Sequence, residues 1–227
     1  MAQESCFIVI EGLDGTGKTA MAHQLAAALG QWLGEAQVLV TDEPHAASCG
    51  GDFLRAALGR QIRPVTNWTL ALAFAANRAD HTTRFITPFL DEVPGRVVIC
   101  DRYYLSSLVY QSSESLPAGE VMALNAGARR PDLTLFLNAS NQVCYDRMHR
   151  RDKNQEMFED QLEQLRDKYH HLITFLQARG EHIEEINAEP DMATVLGSML
   201  AALARHAPPW LTPPATSDSA RVGGIYP

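Results

Sequence analysis

The chain opens with a short apolar run, Cys6 to Ile10 (CFIVI), that leads straight into a glycine-rich turn. Unbroken apolar runs of this length read as strands buried on both faces, as in a parallel sheet. Gln37 to Thr41 (QVLVT), Arg96 to Cys100 (RVVIC) and Leu133 to Leu137 (LTLFL) have the same character, and His182 to Ile186 is a fifth, weaker run. Between the runs the apolar positions recur with helical period. Lys18 to Leu29 puts Met21, Leu25, Ala28 and Leu29 on one face, with Gly30 near its end. Phe53 to Leu58, an alanine-rich stretch from Thr69 to Phe85, Ser106 to Tyr110, Asn141 to Arg151, Glu156 to Ala178 and Met192 to Arg205 also read as helical. Strands alternating with helices predict an α/β fold, a parallel five-stranded sheet with helices on both faces. That pattern spans residues 1–205. Residues 206–227 are rich in Pro, Ser, Thr and Gly without apolar period, and are expected to form a tail that is disordered or packed only at points.

Composition narrows the function classes. The 227 residues are 46% hydrophobic, enough for a sizeable core, and carry a formal net charge of −8, which argues against a nucleic-acid binder. Cys6, Cys49, Cys100 and Cys144 are too widely spaced for a zinc site; Cys6 and Cys100 sit in apolar runs and read as small buried hydrophobes in a reducing compartment, so a cytoplasmic location is expected. No run of about 18 apolar residues predicts a membrane helix, and the N-terminus lacks the basic-then-apolar order of a secretory leader.

The turn after the first strand carries chemistry. Gly12-Leu-Asp14-Gly15-Thr16-Gly17-Lys18-Thr19 fits G-x-x-x-x-G-K-[ST], between a predicted strand and a predicted helix. Glycines let the backbone close around phosphates with its N–H groups inward, and the helix N-terminus adds partial positive charge. Lys18 can reach the β- and γ-phosphates, and the Thr19 hydroxyl can ligate Mg²⁺. The expectation is a P-loop NTPase-type three-layer fold that binds ATP and Mg²⁺. Such an enzyme also needs a carboxylate near the metal at the end of a neighbouring strand, and Asp101, after Val97-Val98-Ile99-Cys100, is the candidate.

A kinase whose acceptor is itself phosphorylated must hold a second anion, and arginine pairs with phosphate through two parallel hydrogen bonds. Arg55, Arg78 and Arg102 fall near predicted element ends, although spacing alone does not make them converge. Several segments in order resemble the thymidylate kinases: FIVIEGLDGTGKT, Thr41-Asp42-Glu43-Pro44, Phe74-Ala-Ala-Asn-Arg78, Asp101-Arg102-Tyr103-Tyr-Leu-Ser106-Ser107-Leu-Val-Tyr110-Gln111 and Arg130-Pro131-Asp132-Leu-Thr-Leu-Phe-Leu. The resemblance implies transfer of a phosphoryl group from ATP·Mg²⁺ to dTMP, giving ADP and dTDP. It places Arg55, Arg78 and Arg102 on the acceptor phosphate. Phe74 would stack on the base, Gln111 and Ser107 would meet its edge, Tyr110 would border the deoxyribose, and Asp14 would meet the sugar 3′-hydroxyl or a metal-bound water. Lys18, Arg102 and a lid arginine would surround the transferred group. The resemblance also implies a lid at about residues 147–159, with Arg151 as the first choice for an arginine-finger role and Arg147 as the second, and a homodimer formed through helices that include the alanine-rich one.

Where the family has T-R-E-P-G-G, this chain has T-D-E-P-H-A, so Asp42 replaces an arginine and His45 a glycine. A charge pair at ~4 Å is worth about 4 kcal/mol at an effective dielectric near 20, so an inward-pointing Asp42 would weaken acceptor binding. Three readings follow: a dTMP kinase; a kinase for another pyrimidine acceptor, such as dUMP, a modified dUMP or a deoxynucleoside; and a catalytically weak nucleotide-binding homologue.

Overall fold

The computed structural model describes residues 4–151 and 159–211. Five strands, β1 (Cys6–Gly12), β2 (Val38–Asp42), β3 (Val97–Asp101), β4 (Leu133–Asn138) and β5 (Ile183–Asn187), form one parallel sheet in the order β2-β3-β1-β4-β5. The three central strands are buried almost throughout, as their unbroken apolar runs predict; β2 and β5, at the edges, are only partly buried.

The helices are α1 (Lys18–Leu33), α2 (Gly51–Leu58), α3 (Asn67–His81), α4 (Thr87–Glu92), α5 (Tyr104–Gln111), α6 (Ala118–Leu124), α7 (Asn141–Arg151), α8 (Glu159–Gln177) and α9 (Met192–His206). α1 and α9 pack together on one face of the sheet; α3, α5, α6 and α8 form the opposite layer. Large side chains from the sheet and from the layers on its two faces, among them Phe7, Ile8, Leu25, Leu29, Phe136, Tyr103 and Tyr169, close the core around β1.

Several boundaries differ from the sequence-based expectation. Gly30 does not end α1, which runs on to Leu33 and stops at Gly34, whose N–H returns to the Gly30 carbonyl at 2.9 Å. The alanine-rich stretch starts two residues early, because the Thr66 hydroxyl accepts the Thr69 N–H at 3.1 Å and caps the helix. It gives way at Thr82–Ile86 to a wide π-helical turn before α4. The helix α6 had no strong apolar period to announce it. Beyond α9, Leu211 is fully buried and Trp210 packs against the core, so the start of the expected tail belongs to the domain; residues 212–227 lie outside the described residues.

The register fixes the working edge. Ile10 is level with Asp101, Asp42 with Asp101, and Gly12 with Leu137, so the C-terminal ends of four neighbouring strands share one rim. In open α/β sheets ligands bind beyond that rim.

Candidate active site

The loop between β1 and α1 is shaped by its own carbonyls. The Leu13 carbonyl accepts the Thr16 hydroxyl at 2.8 Å and the Lys18 Nζ at 2.8 Å, so the lysine folds back along the loop. Gly15 sits at φ 87°, and a Cβ there would lie 2.3 Å from the Cys144 carbonyl oxygen of α7; a Cβ on Gly12 would lie 2.5 Å from the Leu137 carbonyl oxygen. Any larger residue would push the loop off β4 and α7. Burial lowers the Lys18 pKa, helped by the Arg102 charge, and the acids Asp14, Asp101 and Glu11 only partly offset this, leaving it at about 8.

Thr19 donates its hydroxyl to Asp101 Oδ2 at 2.6 Å. Asp101 Oδ1 is buried and has no hydrogen-bond partner among the described residues. A buried carboxylate oxygen with a free lone pair beside a hydroxyl is an all-oxygen donor set of the kind a hard divalent cation takes.

Arg102 follows Asp101 in a left-handed conformation, φ 69°, unusual for a side-chain-bearing residue. The turn is held by its own N–H on the Ile10 carbonyl at 2.9 Å and by the Cys100 thiol on its carbonyl at 3.1 Å. It swings the guanidinium back across the phosphate loop, where it donates to Asp14 Oδ1 at 2.5 Å, to Gly12 O at 3.4 Å and to Ser106 Oγ at 3.1 Å. Partial desolvation pushes the Asp14 carboxyl up, but the charges of Arg102 and Lys18 together outweigh it and hold its pKa below the ordinary value.

One residue pair along α5, the second arginine arrives. Arg78, on α3, is only 1% exposed. It donates from Nε to Glu43 Oε2 at 2.7 Å, and from its two terminal nitrogens to Asn125 Oδ1 at 2.5 Å and Ser107 Oγ at 3.2 Å, while its guanidinium lies 5.2 Å from the Tyr103 ring centroid. A guanidinium has five N–H donors. Three are used among the described residues, so two remain. Gln111, at the end of α5, is buried with its Oε1 unpartnered among the described residues, so the site offers a lone acceptor to a donor on a ligand.

The thymidylate kinase family model matches residues 10–196. The chain belongs to the thymidylate kinase family. It is 34% identical over 205 residues to a probable thymidylate kinase of Pyrococcus horikoshii, covering 88% of this chain and 96% of that one. It is 34% identical to a thymidylate kinase of Symbiobacterium thermophilum, over 85% of each chain. The crystal structure of a thymidylate kinase from Ehrlichia chaffeensis superposes with a TM-score of 0.67 at 23% identity, over 88% of this chain and 99% of that chain, and shares the fold.

Of the other residues that the family resemblance singles out, Phe74 and Tyr110 are half-buried, and the Arg102 guanidinium lies 5.5 Å from the Tyr110 ring centroid. Arg55 is exposed on α2 and makes no ion pair with the described acids. Arg147 is turned away from the phosphate loop: it donates to the carbonyls of Ala188 at 2.9 Å and Glu189 at 3.3 Å, in the turn after β5. The Arg151 side chain and the lid segment 152–158 lie outside the described residues. Asp42 is exposed at the end of β2.

The structure adds residues that pattern reading passed over. Glu11, near the end of β1, is fully buried: its Oε1 accepts the backbone N–H groups of Tyr103 and Ser106 at 2.9 and 3.0 Å, and its Oε2 accepts the Ser106 hydroxyl at 2.7 Å and the Tyr169 hydroxyl at 3.2 Å. Burial raises its pKa against the pull of Arg102 and these donors. Its signal was present, since an acid closing a wholly apolar run needs buried partners. Asn125 and His81 gave no such signal.

Proposed function

We propose that this thymidylate kinase family member transfers the γ-phosphoryl group of ATP to dTMP, yielding ADP and dTDP. The observation that carries this reading is the bridge from Arg102 to Asp14. Arg102 also donates to Ser106 of α5, and Arg78 donates to the next residue, Ser107, so the phosphate loop and a second basic group lie by adjacent residues of one helix. A donor polyphosphate on the loop and an acceptor phosphate on the arginines would thus share one end of α5.

Catalysis here is positioning and charge stabilisation. The loop N–H groups and Lys18 hold the β- and γ-phosphates. Arg102 draws the acceptor phosphate towards the loop, and the two unused donors of Arg78 take its remaining oxygens. Mg²⁺ would be held by Thr19 and Asp101, and when bound it neutralises charge on the phosphate oxygens. Asp14 is kept ionised by Arg102 and Lys18, ready to accept from the sugar 3′-hydroxyl. The unpartnered Oε1 of Gln111 suits the imide N–H of a pyrimidine such as thymine, with Phe74 against the ring, Tyr110 beside the deoxyribose and Ser107 nearby. Arg151 is the candidate to neutralise the transferring group from the lid. Arg55, on the surface, is the weakest of the three acceptor arginines.

The exposed apolar side chains Trp68 (41%) and Leu72 (52%) stand one turn apart on α3 and give a second copy of the chain a face to cover, which supports a homodimer.

Purified protein should consume ATP only when dTMP and Mg²⁺ are present, and Lys18→Ala should cut turnover by about 10³-fold or more. Absence of turnover with every pyrimidine monophosphate would refute the reading.

A further inference from the structure

Arg102 has two kinds of partner. Its Nη1 rests on uncharged groups, the Gly12 carbonyl at 3.4 Å and the Ser106 hydroxyl at 3.1 Å. Its Nη2 is taken by an anion, Asp14 Oδ1, at 2.5 Å. The same oxygen lies 3.8 Å from Nζ of Lys18. One carboxylate oxygen of the chain therefore sits between the cation of the phosphate loop and the cation that follows β3.

The three groups differ in freedom. The side chain of Lys18 is 7% exposed and that of Arg102 21%, whereas that of Asp14 is 67% exposed. Lys18 is also held by the Leu13 carbonyl at 2.8 Å. The cations are fixed, and the anion is the member that can leave. An ion pair this open to water holds weakly, so it opens at little cost. An acceptor phosphate on Arg102 would stand beside the Asp14 carboxylate, and two anions that close repel. The guanidinium need not move to relieve this, because Nη1 stays anchored on groups without charge.

We infer that Asp14 is a stand-in anion for the acceptor: it occupies Nη2 of Arg102 until the acceptor phosphate takes that nitrogen by displacing it. The exchange makes Arg102 selective for ligands that carry a phosphate. A ligand without one cannot displace the carboxylate and gains nothing from the guanidinium. This rests on the reading that Arg102 grips the acceptor phosphate.

The test is equilibrium titration of the full chain with the 3′-deoxy analogue of dTMP, which carries the phosphate but lacks the hydroxyl proposed to meet Asp14. Asp14→Asn should tighten the Kd of this monophosphate about fourfold, the scale of one exposed ion pair. The Kd of the corresponding nucleoside, which has no phosphate, should stay within about 1.5-fold of wild type. Arg102→Ala should weaken binding of the monophosphate about 30-fold. In that background Asp14→Asn should bring a gain of less than about 1.5-fold, because no guanidinium is left to release. Asp14→Ala repeats the measurement should the asparagine make a hydrogen bond of its own to Arg102. If Arg102→Ala leaves the Kd of the monophosphate unchanged, the acceptor reading itself falls. If Arg102→Ala weakens it but neither Asp14→Asn nor Asp14→Ala tightens it, the stand-in role falls alone. A gain that persists without Arg102, or that is equal for the nucleoside, would make Asp14 an ordinary source of negative potential and overturn the exchange.

Discussion

Lys18 combines deep burial with a strongly cationic neighbour in Arg102, and that is why its pKa falls to about 8. A polyphosphate on the loop would restore the full charge, so binding must take up a proton over the range where the free lysine is partly neutral. Calorimetry of ATP binding in buffers of different ionisation enthalpy should show uptake rising from about a tenth of a proton at pH 7 to more than half at pH 8.5. A flat uptake across that range would mean that Lys18 is fully charged before the nucleotide arrives. Asp42 is the opposite case. The sequence marked it as a charge reversal beside an anion site, but its side chain stands in solvent at the end of β2. Exposed charges interact weakly through water and salt. Asp42→Asn should therefore change the KM for dTMP by less than about threefold, measured at moderate ionic strength.

At the scale of elements, the site depends on where α5 begins. Both arginines lean on Ser106 and Ser107 in its first turns, and Glu11 holds that N-terminus by accepting two backbone N–H groups from inside the sheet. Replacing Glu11 by Leu would leave those donors buried without partners, at a cost of about 3 kcal/mol in total. For a domain of this size that corresponds to a fall of roughly 6–12 °C in Tm, which thermal unfolding would show. Glu11→Gln keeps an acceptor in place and should lose less than half as much. The strands that carry these contacts were visible as apolar runs, because a strand buried on both faces has no choice of composition. Helix limits were less visible. The alanine-rich stretch does not say whether it continues or widens at Thr82, and α6 is short and mixed in character, yet its following residue, Asn125, supplies one of the partners of Arg78.

For the whole molecule, self-association is proposed from the family resemblance, and the exposed Trp68 and Leu72 on α3 support it. Leu72→Arg places a charge on that face and should shift the protein from dimer to monomer in sedimentation velocity at micromolar concentration, with the monomer still folded. A wild-type chain that sediments as a monomer would remove the dimer from the proposal.

What the chain determines without its neighbours is whatever depends on short-range pattern. The parallel sheet follows from continuous apolar runs, and the phosphate loop follows from glycines at fixed spacing before a lysine and a hydroxyl. Asp101 and Arg102 are placed by the end of one such run. What only the tertiary structure decides is convergence. Arg78 and Arg102 are 24 positions apart and reach adjacent serines of α5 because α3 and α5 pack in one layer; Glu11 and His81 find their partners in distant segments of the chain; Arg147 turns to the carbonyls after β5, while Arg55 remains at the surface. Local pattern reports which face a residue needs, and only packing reports which other residues share it.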